Sequence, residues 1–123
     1  MPIIDVQVVQ QAGEALADDA AVRLATAFGE ALAAAPGHVW VRVRPLPEQC
    51  YAENQSTEPV FPVFVQVTHA SLPAEDALIH EARALAAAAA ACLGRPLGHV
   101  HVEFAPPARG RIAFGGELHR HAS

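Results

Sequence analysis

The residue with the clearest chemical potential in this chain is Pro2, which begins the apolar segment Ile3 to Val9. If the initiator methionine is removed, as usually happens before a small second residue, the Pro2 nitrogen becomes a secondary amine held in a rigid ring. An α-amino group has a pKa of about 7.7–8.0, and burial among apolar side chains lowers it. Such an amine suits general base catalysis near neutral pH. The alternative is structural, since proline is tolerated as the first residue of a strand.

A second group of candidates lies in a segment where valines alternate with larger polar residues. Strand alternation places Trp40, Arg42 and Arg44 on one face of that strand. An arginine there could bind a substrate carboxylate through two hydrogen bonds and stabilise a developing enolate. The alternative for Arg42 is an ion pair with Glu103 on an equivalent strand. Tyr51 could donate a hydrogen bond to an enolate oxygen or protonate a carbon, or it could be a packed aromatic residue of a linker.

Composition narrows the range of functions. Hydrophobic residues make up 52% of the 123 residues and the net charge is −5, so we expect a folded domain and no nucleic-acid partner. All eight basic residues are arginines, which excludes lysine Schiff-base chemistry and leaves the N-terminus as the one amine. Cys50 and Cys92 have no metal or redox spacing, and no signal peptide or membrane span is present. These features predict a cytoplasmic protein without metal, cofactor or membrane partner.

The chain contains an internal repeat of about 60 residues. Val-Gln-Val at 6–8 recurs at 65–67. Gly-His-Val, the first three residues of segment 37–43, recurs as the first three residues of segment 98–104. An alanine-rich stretch lies between the members of each pair. Each unit is therefore predicted to be strand–helix–strand, and a right-handed crossover makes its two strands parallel.

The repeat predicts an α/β (α+β) fold in which tandem β-α-β units form one four-stranded mixed sheet with two helices on one face. The helices are predicted over 14–34 and 73–93 from their apolar periodicity, with Ser71 as N-cap of the second. The chain is one domain, with a first unit and linker at 1–58 and a second unit with a C-terminal hairpin at 59–123. Strand one is apolar on both faces, Ile3 and Val9 lying on the second, so we expect other subunits to cover that face.

With the repeat, Pro2 and a glycine-rich tail from Arg109 to Leu118 that ends in Gly-Gly-Glu-Leu, the chain resembles the tautomerase superfamily. It is most similar to 4-oxalocrotonate tautomerase, as a fused form with two units in one chain. Macrophage migration inhibitory factor, malonate semialdehyde decarboxylase and cis-3-chloroacrylic acid dehalogenase share that architecture. The resemblance implies a homotrimer, with the N-terminal proline acting as general base or acid in a pocket between subunits, beside a carboxylate-binding arginine.

Several positions depart from the family pattern. Trp40 in unit one and His101 in unit two stand where the strand-two arginine is expected, and Arg42 and Arg44 lie further along. The aromatic wall of the family's pocket corresponds to Tyr51 and Ile112, with Phe114 nearby. His101 could be an acid or base in a second pocket, or an interface residue.

A further histidine bears on the reaction class. His69 lies near where related dehalogenases carry a histidine–arginine pair, but Ala70 replaces the arginine, which disfavours hydrolytic dehalogenation.

The sequence therefore predicts a cofactor-independent tautomerase acting on a small 2-oxo or 2-hydroxydienoic acid. Pro2, Arg42 and Tyr51 are the predicted catalytic residues. The predicted substrate-binding residues are Arg44, Trp40, His101, Ile112 and Phe114. One alternative is a decarboxylase or hydratase of a small oxo or unsaturated acid, which a charged prolinium would favour. Another is a non-catalytic trimeric binding protein that retains the fold.

Overall fold

A computed structural model describes residues 2–120 of the chain. It contains one four-stranded sheet, two long helices that pack on one face of that sheet, two short 3-10 turns and a C-terminal hairpin. The strands are β1 (Ile3–Val9), β2 (Trp40–Leu46), β3 (Val63–Thr68), β4 (Val100–Phe104), β5 (Ala113–Phe114) and β6 (Glu117–Leu118). The helices are α1 (Ala20–Ala31) and α2 (Glu75–Leu93).

The order of strands in the sheet is β2-β1-β3-β4. Within each unit the two strands are parallel, β1 with β2 and β3 with β4, as the strand–helix–strand repeat predicts. The two units join through an antiparallel pairing of β1 with β3, in which Ile3 lies opposite Thr68 and Val8 opposite Val63. The predicted mixed sheet with both helices on one face is thus confirmed.

The core lies between this sheet and the two helices. Ile4, Val6 and Val8 of β1 are at most 1% exposed, and the valines of β3 match them. From the helices, Leu24, Phe28, Leu85 and Ala89 complete the cluster. Each large apolar side chain buried in this way stabilises the fold by about 1.5–3 kcal/mol relative to exposure.

Both helices are shorter than their apolar periodicity predicts. The segment before α1 is not helical because Glu14 turns back to accept a hydrogen bond from the Gln11 amide at 3.0 Å and pairs with Arg95. Helix α2 begins at Glu75, and its N-cap position is Ala74 rather than the predicted Ser71. It ends where Gly94 adopts a left-handed conformation with φ of 64°, which glycine allows without strain.

The sheet face opposite the helices is more polar than Ile3 and Val9 alone predict. Strand register aligns Arg42, Asp5, Gln66 and Glu103 in a row across all four strands of this face. On β1 the apolar residues of this face are therefore confined to its two ends, because Asp5 and Gln7 lie between Ile3 and Val9.

The C-terminal hairpin folds back towards the beginning of β2. Its strands β5 and β6 are joined through Gly115 and Gly116, whose φ angles of 59° and 89° suit a tight two-residue hairpin turn. The His119 amide donates a 2.8 Å hydrogen bond to the Ile112 carbonyl, which holds the end of the hairpin in place. No helix in the described part of the chain is long and apolar enough to cross a membrane.

Candidate active site

Pro2 is buried at the beginning of the central strand pair. Its carbonyl accepts a 3.1 Å hydrogen bond from the Trp40 amide, which ties it to the first residue of β2. A cleft of about 470 Å³ opens beside it, which we call the Pro2 cleft. The cleft is lined by Pro2, residues 32–35 after α1, His38, residues 69–71 after β3, and Glu81 of α2. A rigid amine at this position would face a space large enough for a small organic acid.

Two ionisable side chains from different elements meet in the Pro2 cleft. The His69 Nε2 lies 2.6 Å from the Glu81 Oε2, and each side chain is 14% exposed. His69 follows the end of β3, which lies beside Pro2 because β1 and β3 are antiparallel. His38, which follows the turn after α1, is exposed and also lines this cleft. No arginine is among the residues that line this cleft.

Arg42 lies on the open face of the sheet and is paired with Asp5. Its Nε and one terminal nitrogen donate hydrogen bonds of 2.6 and 2.9 Å to the two carboxylate oxygens. This bidentate contact raises the pKa of Arg42 further above its usual value, mainly through the hydrogen bond and then through the charge of Asp5. Glu103, the ion-pair partner considered from sequence, instead accepts a 3.1 Å hydrogen bond from Gln66. Arg42 keeps 69% of its side chain exposed, so a substrate carboxylate could compete with Asp5 for it.

Tyr51, Arg44 and His101 lie at the other end of the strands from Pro2. The ring of Tyr51 is 5.8 Å from that of Phe64, which is 5.5 Å from His101. Arg44 and Phe64 flank Gln7 in the register. Because a strand rises about 3.4 Å per residue, this row lies about 17 Å along β1 from Pro2. Within one chain, the predicted catalytic residues Pro2 and Tyr51 are therefore not brought together.

The hydroxyl of Tyr51 is also engaged locally. It donates a 2.6 Å hydrogen bond to the Glu53 carboxylate. This bond, reinforced by burial and by the negative charge of Glu53, raises the pKa of Tyr51 above its usual value of about 10. The phenol is thus held in its protonated, hydrogen-bond-donating form at neutral pH.

The C-terminal hairpin brings Phe114, one of the predicted substrate-binding residues, against Trp40. The Trp40 and Phe114 rings meet edge to face with centroids 5.4 Å apart. Ile112 lies at the base of the same hairpin, where its carbonyl accepts the His119 amide. Because the Trp40 amide donates a hydrogen bond to the Pro2 carbonyl, this aromatic pair lies at the Pro2 end of the sheet, on the open face.

Sequence reasoning missed one buried charge. Arg95, 5% exposed in its side chain, donates hydrogen bonds to the carbonyls of Val9 and Phe61, each at 2.9 Å, and to both oxygens of Glu14. The hydrogen bond from Arg95 lowers the pKa of Glu14 below its usual value, against the effect of burial. The sequence Gly-Arg-Pro at the end of the second helix predicts a turn. It does not indicate where the arginine side chain lies, so this role could not be predicted.

Within residues 2–120 no group of three or more histidine, cysteine, aspartate or glutamate side chains is arranged to hold a metal ion.

Comparison with known proteins agrees with this architecture. No family model matches the chain, and no curated protein matches it in sequence. Among solved structures, the fold is similar to those of fused 4-OT and macrophage migration inhibitory factor proteins, which confirms at the level of fold the resemblance inferred from Pro2, the repeat and the tail.

The individual structures are similar over nearly their whole length. A protein described as "Q0 fused 4-OT wild type symmetric trimer" superposes with a TM-score of 0.78 at 16% identity, covering 96% of this chain and 95% of its own. Pt0534, described as inactivated by 2-oxo-3-pentynoate, superposes with a TM-score of 0.75 at 16% identity and the same coverage. The macrophage migration inhibitory factor from Trichinella spiralis gives a TM-score of 0.71 at 14% identity, covering 94% of this chain and 97% of its own.

Proposed function

We propose that this protein is a cofactor-independent tautomerase that moves a proton between carbon and oxygen of a small 2-oxo or 2-hydroxydienoic acid. The observation that carries the proposal is the position of Pro2, buried at the start of the central strand and open to a cleft of about 470 Å³. The fold shared with fused 4-OT supports it. The proposal includes removal of Met1, because a Pro2 nitrogen within a peptide bond would have no basicity.

The proposed mechanism begins with neutral Pro2 removing a proton from the carbon next to the substrate carbonyl. The electrons of the broken C–H bond move towards oxygen and give an enolate, and the resulting prolinium passes the proton through water to the enolate oxygen, which gives the enol; the reverse sequence returns the proton to carbon. The substrate carboxylate docks on Arg42 of a neighbouring chain, helped by Arg44 of that chain. Arginine stabilises the enolate by charge, while the Tyr51 hydroxyl turns from Glu53 to the substrate and donates a hydrogen bond to the enolate oxygen.

This mechanism requires more than one chain. Tyr51, Arg44 and His101 lie about 17 Å along the strand from the Pro2 of the same chain. We propose a homotrimer in which the open face of one chain borders the Pro2 end of the next, so that these residues and the Trp40–Phe114 pair border a shared pocket. Two similar structures are described as trimers of fused 4-OT, which supports this assembly.

The proposal is tested by the intact mass of the purified protein, followed by ultraviolet assays with phenylpyruvate and a 2-hydroxydienoate. We expect a mass lacking one methionine, and loss of activity in Pro2→Ala by about 10²–10⁴-fold, the usual contribution of a general base. Pro59→Ala, at an exposed linker position, is the matched control and should retain full activity.

Other outcomes would contradict the proposal in distinct ways. Retained methionine, or equal rates in wild type and Pro2→Ala, would overturn the role of Pro2. Slow tautomerisation but rapid turnover of a three-carbon oxo acid or alkynoate would favour the decarboxylase or hydratase alternative. Absence of turnover on every substrate would favour a binding protein.

A further inference from the structure

The pair of His69 and Glu81 in the Pro2 cleft has no part in the mechanism above. Its 2.6 Å separation is that of a short, charge-assisted hydrogen bond, and both side chains are largely removed from solvent. The pair joins the segment after β3 to α2, and both residues line the same cleft as Pro2. A histidine held by a carboxylate beside a candidate catalytic amine can act as an acid or base with a defined orientation.

Several contacts of its backbone and its ring fix the position of His69. Its backbone carbonyl accepts a 2.9 Å hydrogen bond from the Ala108 amide. Its ring stacks on the ring of Phe104, with centroids 6.2 Å apart and planes inclined by 16°. Glu81 engages Nε2, which leaves Nδ1 as the ring nitrogen able to serve a ligand. Among the hydrogen bonds found in the described part of the chain, none involves Nδ1.

The negative charge that develops on the substrate oxygen during the proposed reaction requires a positive or proton-donating group in the cleft. Its lining contains no arginine, and the chain contains no lysine. Arg42 lies on the opposite face of the sheet and is held by Asp5. His69 is therefore placed better than any arginine of the same chain to meet negative charge that develops in the Pro2 cleft. Glu81, His38 and the Pro2 amine are the titratable groups that share this cleft with it.

We propose that His69 is the acid of the reaction, donating a proton from Nδ1 to the substrate oxygen while Pro2 takes a proton from carbon, and that Glu81 is a positioning residue. This inference rests on the proposed tautomerase function and deepens it. The substrate class it favours is an oxo acid whose carbonyl oxygen, rather than its carboxylate, points into the cleft.

The proton balance of the proposed step is complete. The substrate C–H bond breaks and its proton forms an N–H bond on neutral Pro2, while the electron pair becomes the carbon–carbon double bond of an enol. The oxygen receives the Nδ1 proton of the His69 imidazolium, which becomes neutral imidazole bonded to Glu81 through Nε2–H. A proton then passes from prolinium to imidazole through water, which restores both groups without an oxidant, reductant or other reactant.

A structural clamp between β3 and α2 is the competing explanation for the pair. Buried ion pairs contribute little net stability, because the attraction between the charges mostly offsets the loss of their hydration. If the pair were only a clamp, a substitution that weakens it would leave the pH dependence of the reaction unchanged. The two explanations therefore differ in kinetics as well as in stability.

The test compares wild type with His69→Gln, Glu81→Gln and Pro2→Ala in the tautomerase assay across pH, with thermal unfolding of each. His80→Gln is the matched control, because His80 is exposed and precedes Glu81 on the same helix. We expect His69→Gln to lower kcat by about 10²-fold or more, with KM changed by less than about threefold. We also expect it to lose the fall in kcat at high pH that deprotonation of an acid causes. Glu81→Gln should lower kcat by about tenfold, and His80→Gln should match wild type.

Each outcome separates this inference from the function on which it rests. If Pro2→Ala is inactive but His69→Gln matches wild type in kcat and pH profile, the role of His69 is overturned and the tautomerase function stands. If His69→Gln unfolds, the isosteric Glu81→Gln decides: a folded Glu81→Gln protein with wild-type kcat overturns the proposal. If wild type has no tautomerase activity, both proposals fail together.

Discussion

Replacement of Arg95 by methionine is expected to destabilise the fold more than any substitution of an exposed arginine. Arg95 donates to the carbonyls at the end of β1 and before β3 and to both oxygens of Glu14. Two strand-end carbonyls would lose their partner, at a cost of about 1–3 kcal/mol each. Glu14, which is 30% exposed in its side chain, would be partly rehydrated and add less. The total of about 3–5 kcal/mol is that of breaking a buried pair by removing one partner.

Urea and thermal denaturation followed by circular dichroism measure this loss. For a chain of 123 residues we expect the Tm to fall by roughly 10–20 °C, since each kcal/mol shifts the Tm of such a domain by about 3–5 °C. Arg83→Met is the control, because Arg83 is exposed on α2, and it should change stability by no more than about 0.5 kcal/mol. A loss below about 1 kcal/mol in Arg95→Met would refute the argument that Arg95 joins the two strand ends.

Two further predictions concern the other charged pairs. Because Arg95 lowers the pKa of Glu14, the stability that ionised Glu14 contributes is present above the usual carboxyl pKa of about 4.3 and is lost as pH falls through the lowered value. The Tm difference between wild type and Glu14→Gln should therefore be constant from about pH 7 to 5 and shrink at lower pH; a difference that grows on acidification would contradict the sign. Asp5→Asn should alter stability by no more than about 1 kcal/mol, as expected for a pair with an exposed arginine, yet lower KM for a carboxylate substrate several-fold by freeing Arg42. An unchanged or higher KM would argue against Arg42 as the carboxylate site.

The repeat and the strand alternation were sufficient to predict the sheet. Two strand–helix–strand units with right-handed crossovers leave few ways to share a core, and the antiparallel pairing of β1 with β3 is one of them. Alternation also assigned the faces of β2 correctly: Val41 and Val43 pack towards the core, while Arg42 and Arg44 are exposed.

Ion-pair partners could not be predicted in the same way, because they depend on the order of strands in the sheet. Arg42 and Glu103 share a face, but the observed order places β2 and β4 at opposite edges, three strand spacings or about 14 Å apart. Asp5, on the neighbouring strand and directly opposite in the register, takes the contact instead. The His69–Glu81 pair was hidden for a similar reason, since it depends on how α2 lies across the end of β3.

The two ends of the β1–β3 pair carry similar pairs of side chains, but these pairs differ in the chemistry that they allow. The antiparallel pairing places Pro2 beside the segment after β3 at one end, and the segment before β3 beside Val9 at the other. Each end has a basic side chain paired with a carboxylate: His69 with Glu81 at the first, and Arg95 with Glu14 at the second.

The two ends differ in which hydrogen-bonding groups of the basic side chain remain available. Arg95 donates hydrogen bonds to two strand-end carbonyls as well as to Glu14. The cleft that Arg95 lines has a volume of about 130 Å³, whereas the Pro2 cleft has a volume of about 470 Å³. Pro62, the proline next to that second strand start, has its nitrogen in a peptide bond and offers no amine. His69 is held through one nitrogen and retains the other, beside a proline that can carry a free amine. If this site catalyses proton transfer, the chemistry belongs to the Pro2 end, while the equivalent end of unit two serves as a structural joint.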